Sequence, residues 1–428
     1  MAGTTDVLVA GAGVAGMKAS LLLAAAGRKV HLVENTSVIG GRIIRCEDIF
    51  PSMECATCMV SPMQQDILVN DLINVITMGS VLSIEGSKGN FNVRIFKKAT
   101  CVDPVACIGC AECWNVCPVT IPNSFEENLN DRKAISVPCA GALPNVPWID
   151  REHCLRWNGQ EECNECAAAC VFEAIDFSDQ DSELNLNVSD IIIATGYSPS
   201  SGDSLKSFGW GKNPGVFTSP EFERYYASNG PTGGELTTKD GKKPDSVAII
   251  VHAGGTGSFS HINTMYSLKF LHYLKEKLPD AKIQVFLDSS YSPDSAEDRY
   301  HERWQGIETD LIRYNGTPEI SSGSDENLIT ISCKTDKGEI TAHAEMVILG
   351  ISMQPSKGTA EFLDMLELNS NDEGFLSNPD ATHSSVLSSI PGILIAGCAA
   401  GPSDIPVSVT KAAAAVGRIL SSSNWKEK

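Results

Sequence analysis

The stretch Asp6–Glu34, DVLVAGAGVAGMKASLLLAAAGRKVHLVE, decides the fold. Asp6–Ala10 is a short apolar run, the pattern of a strand buried in a parallel sheet. Gly11, Gly13 and Gly16 follow as G-x-G-x-x-G. Met17–Ala26 is rich in Ala and Leu, which predicts a helix ended by Gly27. KVHLVE predicts a second strand with Glu34 at its end. Gly11 allows the tight turn, Gly13 lets a pyrophosphate approach the backbone, and Gly16 lets helix and strand pack closely. The helix N-terminus adds free N–H donors. Glu34 lies 23 residues after Gly11, where a carboxylate would hold a ribose hydroxyl. The unit predicts dinucleotide binding at Gly11, Gly13, Val14, Ala15, Gly16, Glu34 and Asn35.

A chain of 428 residues exceeds one ordinary core and should divide into two or three domains. Its formal net charge of −20 argues against nucleic acid, whose binding needs Lys and Arg on phosphates, and against an anionic membrane surface. No stretch approaches the roughly 18 apolar residues of a spanning helix. The start, MAGTTDVLVAGAG, has no basic region and no apolar signal core. The expected location is the cytoplasm, with attachment to the inner face of a membrane only through a partner.

Fifteen cysteines, most in CxxC-type spacings, point to metal binding or redox chemistry rather than structural disulfides. CIGCAECWNVCP (Cys107–Pro118) places four cysteines in eleven residues before a proline, a [4Fe–4S] pattern. A second run, CLRWNGQEECNECAAAC, supplies Cys154, Cys163, Cys166 and Cys170. Its beginning is stretched, with eight residues between the first two cysteines, and Val171 replaces the proline. Two-cluster ferredoxins exchange their fourth ligands. One cluster is therefore assigned to Cys107, Cys110, Cys113 and Cys170, and the other to Cys154, Cys163, Cys166 and Cys117. Zinc also favours CxxC, but four thiolates from eight leave an awkward remainder.

Other motifs resemble those of two-dinucleotide flavoproteins. GGR (Gly40, Gly41, Arg42) resembles their second signature and turns the choice from NAD to FAD. IIIATGY (Ile191–Tyr197) resembles the exit from the FAD domain, and GILIAGCAAGPSDIP (Gly392–Pro406) resembles the last FAD motif. Cys398 replaces the usual Asp there, with Asp404 or a backbone N–H as the substitute flavin contact. The resemblance adds Val81, Ala194, Thr195, Gly196, Gly397, Cys398, Asp404, Ile405 and Pro406 to the cofactor contacts. The flanks GNFNVRIFKKA and AIDFSDQDSELNLNVSDIIIATG look like the β-meander before the exit motif. The cysteine module thus interrupts the wall of a flavin domain. FAD accepts two electrons and releases them singly, and clusters carry single electrons onward.

Three readings compete for Cys46, Cys55 and Cys58: a third cluster site, a redox dithiol (Cys55 and Cys58) facing the flavin, or buried thiols. Cys101, Cys139 and Cys333 read as structural. From Ser201 to Gln354 the chain again looks α/β, like the NAD-type domain of the flavoprotein fold. Its turn at Gly254–Gly257 is not G-x-G-x-x-G, and no Arg follows FLDSS. A degenerate domain used for dimerisation or docking is expected.

The order of these motifs, with FPSMECATCMVSP, PVTIPNSFEENLNDRKAI and NGPTGG, resembles the HdrA family, the flavin subunits of heterodisulfide reductase and its relatives. The resemblance implies an α/β, two-dinucleotide-binding flavoprotein fold carrying an inserted two-cluster ferredoxin module. The expected layout is FAD domain 1–98, ferredoxin-like module 99–178, FAD-domain return 179–200, second Rossmann-like domain 201–355 and FAD domain 356–428. The implied function is an FAD and [4Fe–4S] electron-transfer subunit serving iron–sulfur, CCG-type or quinone-linked partners, as a homodimer or hetero-oligomer. No cysteine stands where larger members carry a middle-domain cluster, and the C-terminal ferredoxin extension of the long form is missing. Both point to a short relay form rather than electron bifurcation. The competing readings are a self-contained NAD(P)H-dependent oxidoreductase, like the glutamate synthase small subunit, and a non-enzymatic redox scaffold.

Overall fold

The computed structural model describes residues 6–200, 203–253, 261–290, 309–322, 328–377 and 385–424. The chain divides into two compact units: residues 1–44, 57–197 and 355–428 form the first, and 45–56 and 198–354 the second.

The first unit is built on five parallel strands, in the order Ile393–Ile395, Asp190–Ile193, Val7–Ala10, Val30–Val33, Ile73–Ile76. Every residue of Val7–Ala10 is buried, because a central parallel strand is covered on both faces. Val7 and Val9 pack into a core with the helix Val14–Ala25 and with Ala412, Ala415, Val416 and Ile419 of the helix Ile405–Asn424. Leu8 and Ala10 face the opposite core, which contains Phe91, Val93 and Ile95. Burying each such Val, Ile or Phe is worth about 1.5–3 kcal/mol.

Phe91, Val93 and Ile95 belong to an antiparallel meander of Gly79–Ser87, Asn90–Lys97 and Ser182–Val188. Ser182 pairs directly with Lys97. Residues 98–181 therefore leave and re-enter the sheet at facing positions, and the meander keeps its register around them. Asp179 and Asp181 clip the base of this insertion. Asp179 Oδ2 accepts from Thr100 N (3.1 Å) and Cys101 N (3.0 Å), and Asp181 Oδ1 accepts from Ala99 N (2.8 Å).

The second unit has seven strands, in the order Val216–Thr218, Met346–Leu349, Ser246–Ile250, Lys282–Asp288, Asp310–Ser322, Ile329–Thr335, Gly338–Ala344. The first five run parallel and the last two extend the sheet antiparallel. The turn at Gly254–Gly257 lies outside the described residues.

Residues 45–56 group with the second unit, not with the first FAD segment as the motif order implies. The cause is a buried polar network that carries no motif. Lys269 and Glu223 pair at 2.7 Å with side chains 1% and 2% exposed. Lys269 Nζ donates to Asp48 O (2.8 Å), Glu47 N to Glu223 Oε1 (3.0 Å), and Arg224 Nη1 to Arg45 O (2.8 Å). Removing one member of such a pair strands a buried charge. Lys269→Met should lower stability by about 3–5 kcal/mol, read as a lower urea midpoint. An unchanged midpoint would show that the pair contributes nothing.

Candidate functional site

The glycine turn separates into two kinds of position. A Cβ on Gly11 (φ +102°) would lie 2.3 Å from Ala194 O, and one on Gly16 would lie 1.8 Å from Gly11 O. Both are glycine because the fold itself leaves no room. Gly13 is different: its φ is −76° with ψ −176°, and a Cβ would meet nothing nearer than Gly41 Cα at 3.9 Å. The space before Gly13 is thus unused by the protein. The helix beginning there has no side-chain cap and no acid in its first turn. Its first N–H groups, from Val14, Ala15 and Gly16, therefore have no capping side chain, the arrangement that takes a pyrophosphate. These residues fit FAD.

Glu34 is 7% exposed and holds this turn in shape. Its Oε2 accepts from Ala12 N (2.9 Å), and its Oε1 accepts from Thr36 N and Thr36 Oγ1 (both 2.9 Å). Burial pushes its carboxyl above the usual range, and these hydrogen bonds oppose the shift. Asn35, beside it, is exposed. Gly40 N donates to Ala12 O (2.8 Å), and Gln64 Nε2 donates to Ile39 O (2.6 Å). Gln64, in the helix Ala56–Leu68, escaped the sequence reading because it belongs to no motif. Arg42 lies 3.4 Å from Glu127 and its guanidinium stands over Tyr197. Ile39 N donates to Leu143 O (2.8 Å), so the inserted segment reaches the glycine turn within this unit.

The other predicted FAD residues gather at the sheet's C-terminal edge. Ala194 N donates to Ala10 O (2.8 Å), Gly196 has φ +71°, and Thr195 Oγ1 lies 2.7 Å from Thr359 Oγ1. A Cβ on Gly397 would meet Ala15 Cβ at 2.7 Å. The buried Cys398 thiol is raised by desolvation and donates to Ser403 O (3.3 Å). Asp404 Oδ1 accepts from Val407 N (2.7 Å), in the first turn of the helix that opens with Ile405 and Pro406. Val81 is half-buried against the core beneath the meander.

The cysteines of the insertion are drawn together across the two runs. Cys107, Cys110, Cys113 and Cys170 line one pocket of ≈ 360 Å³ of empty space. Cys117, Cys154, Cys163 and Cys166 line another of ≈ 350 Å³. The short helices Glu112–Asn115 and Glu165–Ala169 pack together between the runs. Burial, then the neighbouring Cys107 thiol, pushes Cys113 up to about 11; burial, then Cys154, pushes Cys166 up to about 12. Free thiolates are thus disfavoured unless a bound metal compensates for the charge. Among the described residues no three His, Cys, Asp or Glu side chains converge as ligands of a single metal ion. That spacing suits zinc poorly, since four thiolates at about 2.3 Å from one ion must crowd together. Two sets of four thiols around larger pockets fit clusters.

The pockets differ electrostatically. In the first, Gly109 N donates to Cys107 Sγ and Ala174 N to Cys170 Sγ (both 3.4 Å). In the second, Cys163 Sγ lies 3.2 Å from Glu165 Oε2. Amide donors stabilise added negative charge and a carboxylate opposes it. Glu165→Gln should therefore raise the midpoint potential of a cluster in the second pocket, followed by EPR-monitored titration. No shift, or a downward one, would remove Glu165 from that role.

Cys55 ends the strand Glu54–Cys55, and Cys58 lies in the first turn of the helix Ala56–Leu68. Both are exposed and Cys46 is half-buried, so the buried-thiol reading fails for Cys55 and Cys58. Cys101 and Cys333 are buried, as structural thiols should be, and Cys139 is half-buried.

The parallel sheet, the glycine turn and the meander define an FAD-binding flavoprotein. The model of the FAD binding domain matches residues 6–47. The fold resembles thioredoxin reductase of Lactococcus lactis (13% identity, 98% of each chain, TM-score 0.53) and LpdA of Mycobacterium tuberculosis (12% identity, 98% of this chain and 73% of that one, TM-score 0.55).

Over the portion that it spans, the chain belongs to the HdrA family of heterodisulfide reductase. It is 34% identical over 421 residues to HdrA of Methanocaldococcus jannaschii, an iron–sulfur subunit of CoB–CoM heterodisulfide reductase, covering 96% of this chain and 63% of that protein. It is 32% identical to the HdrA of Methanothermobacter marburgensis, which belongs to the H2:CoB–CoM heterodisulfide, ferredoxin reductase, with the same coverage. An HdrA-like protein of Archaeoglobus profundus matches at 31%, over 98% of this chain and 66% of that one. The chain thus spans just under two thirds of the length of these relatives. Among the described residues no helix is long and apolar enough to cross a membrane.

Proposed function

We propose that the chain is an electron-transfer subunit of a heterodisulfide-reductase-like complex, holding one FAD and two [4Fe–4S] clusters. The observation that carries the reading is the pair of four-cysteine pockets on an insertion that leaves and re-enters an FAD domain at facing residues, Lys97 and Ser182. Gly13 and the uncapped helix at Val14 would seat the pyrophosphate, and Glu34 the ribose. Cys107, Cys110, Cys113 and Cys170 would hold one cluster, and Cys117, Cys154, Cys163 and Cys166 the other. When bound, FAD supplies the exchange between paired and single electrons, and clusters supply single-electron passage. The contact of Ile39 with Leu143 brings the insertion against the flavin loop, the proximity that transfer requires. Partners would be further redox subunits of the complex.

The glutamate-synthase-like reading requires a nicotinamide site in the second unit. The sequence there lacks G-x-G-x-x-G. The isolated, FAD-loaded chain should therefore show no appreciable oxidation of NADH or NADPH. Rapid anaerobic flavin bleaching by either nucleotide at micromolar concentration would overturn this and favour the nicotinamide reading.

A further inference from the structure

The first cysteine pocket opens onto an unusual surface. Cys110, on its rim, is exposed. Ile108 and Phe172, which line the pocket, are 60% and 45% exposed. Val105 and Val171, close by in sequence, are 91% and 83% exposed. Four large apolar side chains at one pocket mouth are more than the scattered exposure a surface ordinarily shows. The charge around them has one sign. Asp103, Glu112 and Glu173 are exposed, and neither 101–117 nor 163–186 contains Lys, Arg or His.

We propose that this face docks a one-electron carrier protein with an apolar patch rimmed by Lys and Arg, and that it disfavours acidic carriers. The inference rests on the reading that the first pocket holds a cluster. The apolar contact excludes water where the two redox groups approach, and the charged rim steers the encounter and rejects like-charged partners. The step is transfer of one electron: the cluster behind Cys110 is oxidised by one, the carrier is reduced by one, and no bond or proton moves. Arg132, Lys133, Arg151 and Arg156 all lie on the segments that line or flank the second pocket. A basic carrier is therefore directed to the first pocket.

The test uses the holo-chain, reduced anaerobically with stoichiometric dithionite and mixed with cytochrome c, a basic protein with an exposed haem edge. Succinylated cytochrome c carries the same haem with its lysines converted to carboxylates. At low ionic strength native cytochrome c should be reduced roughly tenfold or more faster than the succinylated form, and the difference should shrink with salt. The double variant Glu112→Lys, Glu173→Lys should lose roughly tenfold in rate with native cytochrome c while keeping both cluster EPR signals. Val171→Ser should slow the reaction and leave its salt dependence intact. Glu339→Lys, an exposed charge reversal in the second unit, should change little. Equal rates for the two cytochromes, an unaffected double variant, or an equal loss in Glu339→Lys would overturn the docking face. Wild-type protein without a cluster in the first pocket would instead overturn the function on which it rests.

Discussion

Cys117→Ala abolishes the cluster of Cys154, Cys163 and Cys166 and leaves that of Cys107, Cys110 and Cys113 in place. This is the expected result because Cys117, close to Cys113 along the chain, lines the other pocket. The turn after the helix Glu112–Asn115 carries it away from its own run, beside Pro118, Val119, Ala134 and Ile135. Cys170 makes the reverse crossing after the helix Glu165–Ala169. Iron should fall from about eight to about four atoms per chain, since each [4Fe–4S] cluster carries four. The insertion should also lose stability. Its small core is made of Ala99, Cys101, Val102, Cys113, Ile135, Ile149 and Ala174, edged by further cysteines, so metal binding contributes directly to its folding. EPR of the reduced variant decides the matter. Loss of the first cluster would mean that each run binds its own, as nearness in sequence alone would have it.

Gly13→Val should give folded protein without flavin. Its φ and ψ of −76° and −176° are extended backbone that any residue adopts, and a Cβ there meets nothing within van der Waals contact except Gly41 Cα at 3.9 Å. The isopropyl group would stand in the space that the pyrophosphate needs. Gly16→Ala is the contrasting variant: its Cβ would fall 1.8 Å from Gly11 O, so the turn itself must break. Absorbance near the flavin bands, with unchanged far-ultraviolet circular dichroism, separates the two outcomes. Full flavin occupancy in Gly13→Val would show that the pyrophosphate lies elsewhere.

What could be read in the sequence follows from how local the physics is. The turn at Gly11–Gly16, the buried strand Val7–Ala10 and Glu34 form a short continuous unit, so spacing alone carries the geometry. The cysteine runs are also local, and only their exchange of Cys117 and Cys170 is long-range. The FAD-domain return was readable because Asp190–Ile193 is a wholly apolar parallel strand once Asp190 is passed. The network of Lys269, Glu223, Arg224 and Tyr273 was not readable. Charged side chains ordinarily mark solvated faces, and nothing local signals that these four close over residues 45–48, more than 170 positions earlier. The same limit hid Gln64, whose role depends on the carbonyl of Ile39, 25 residues away.

The central claim is that one FAD and two cysteine-bound clusters share this chain. Anaerobic reconstitution followed by paired analysis of flavin, iron and acid-labile sulfide tests it most directly. The account predicts one FAD with about eight iron and about eight sulfide per chain, from two [4Fe–4S] clusters. Four iron with one FAD would remove the second pocket from the account, and zinc without sulfide would contradict both.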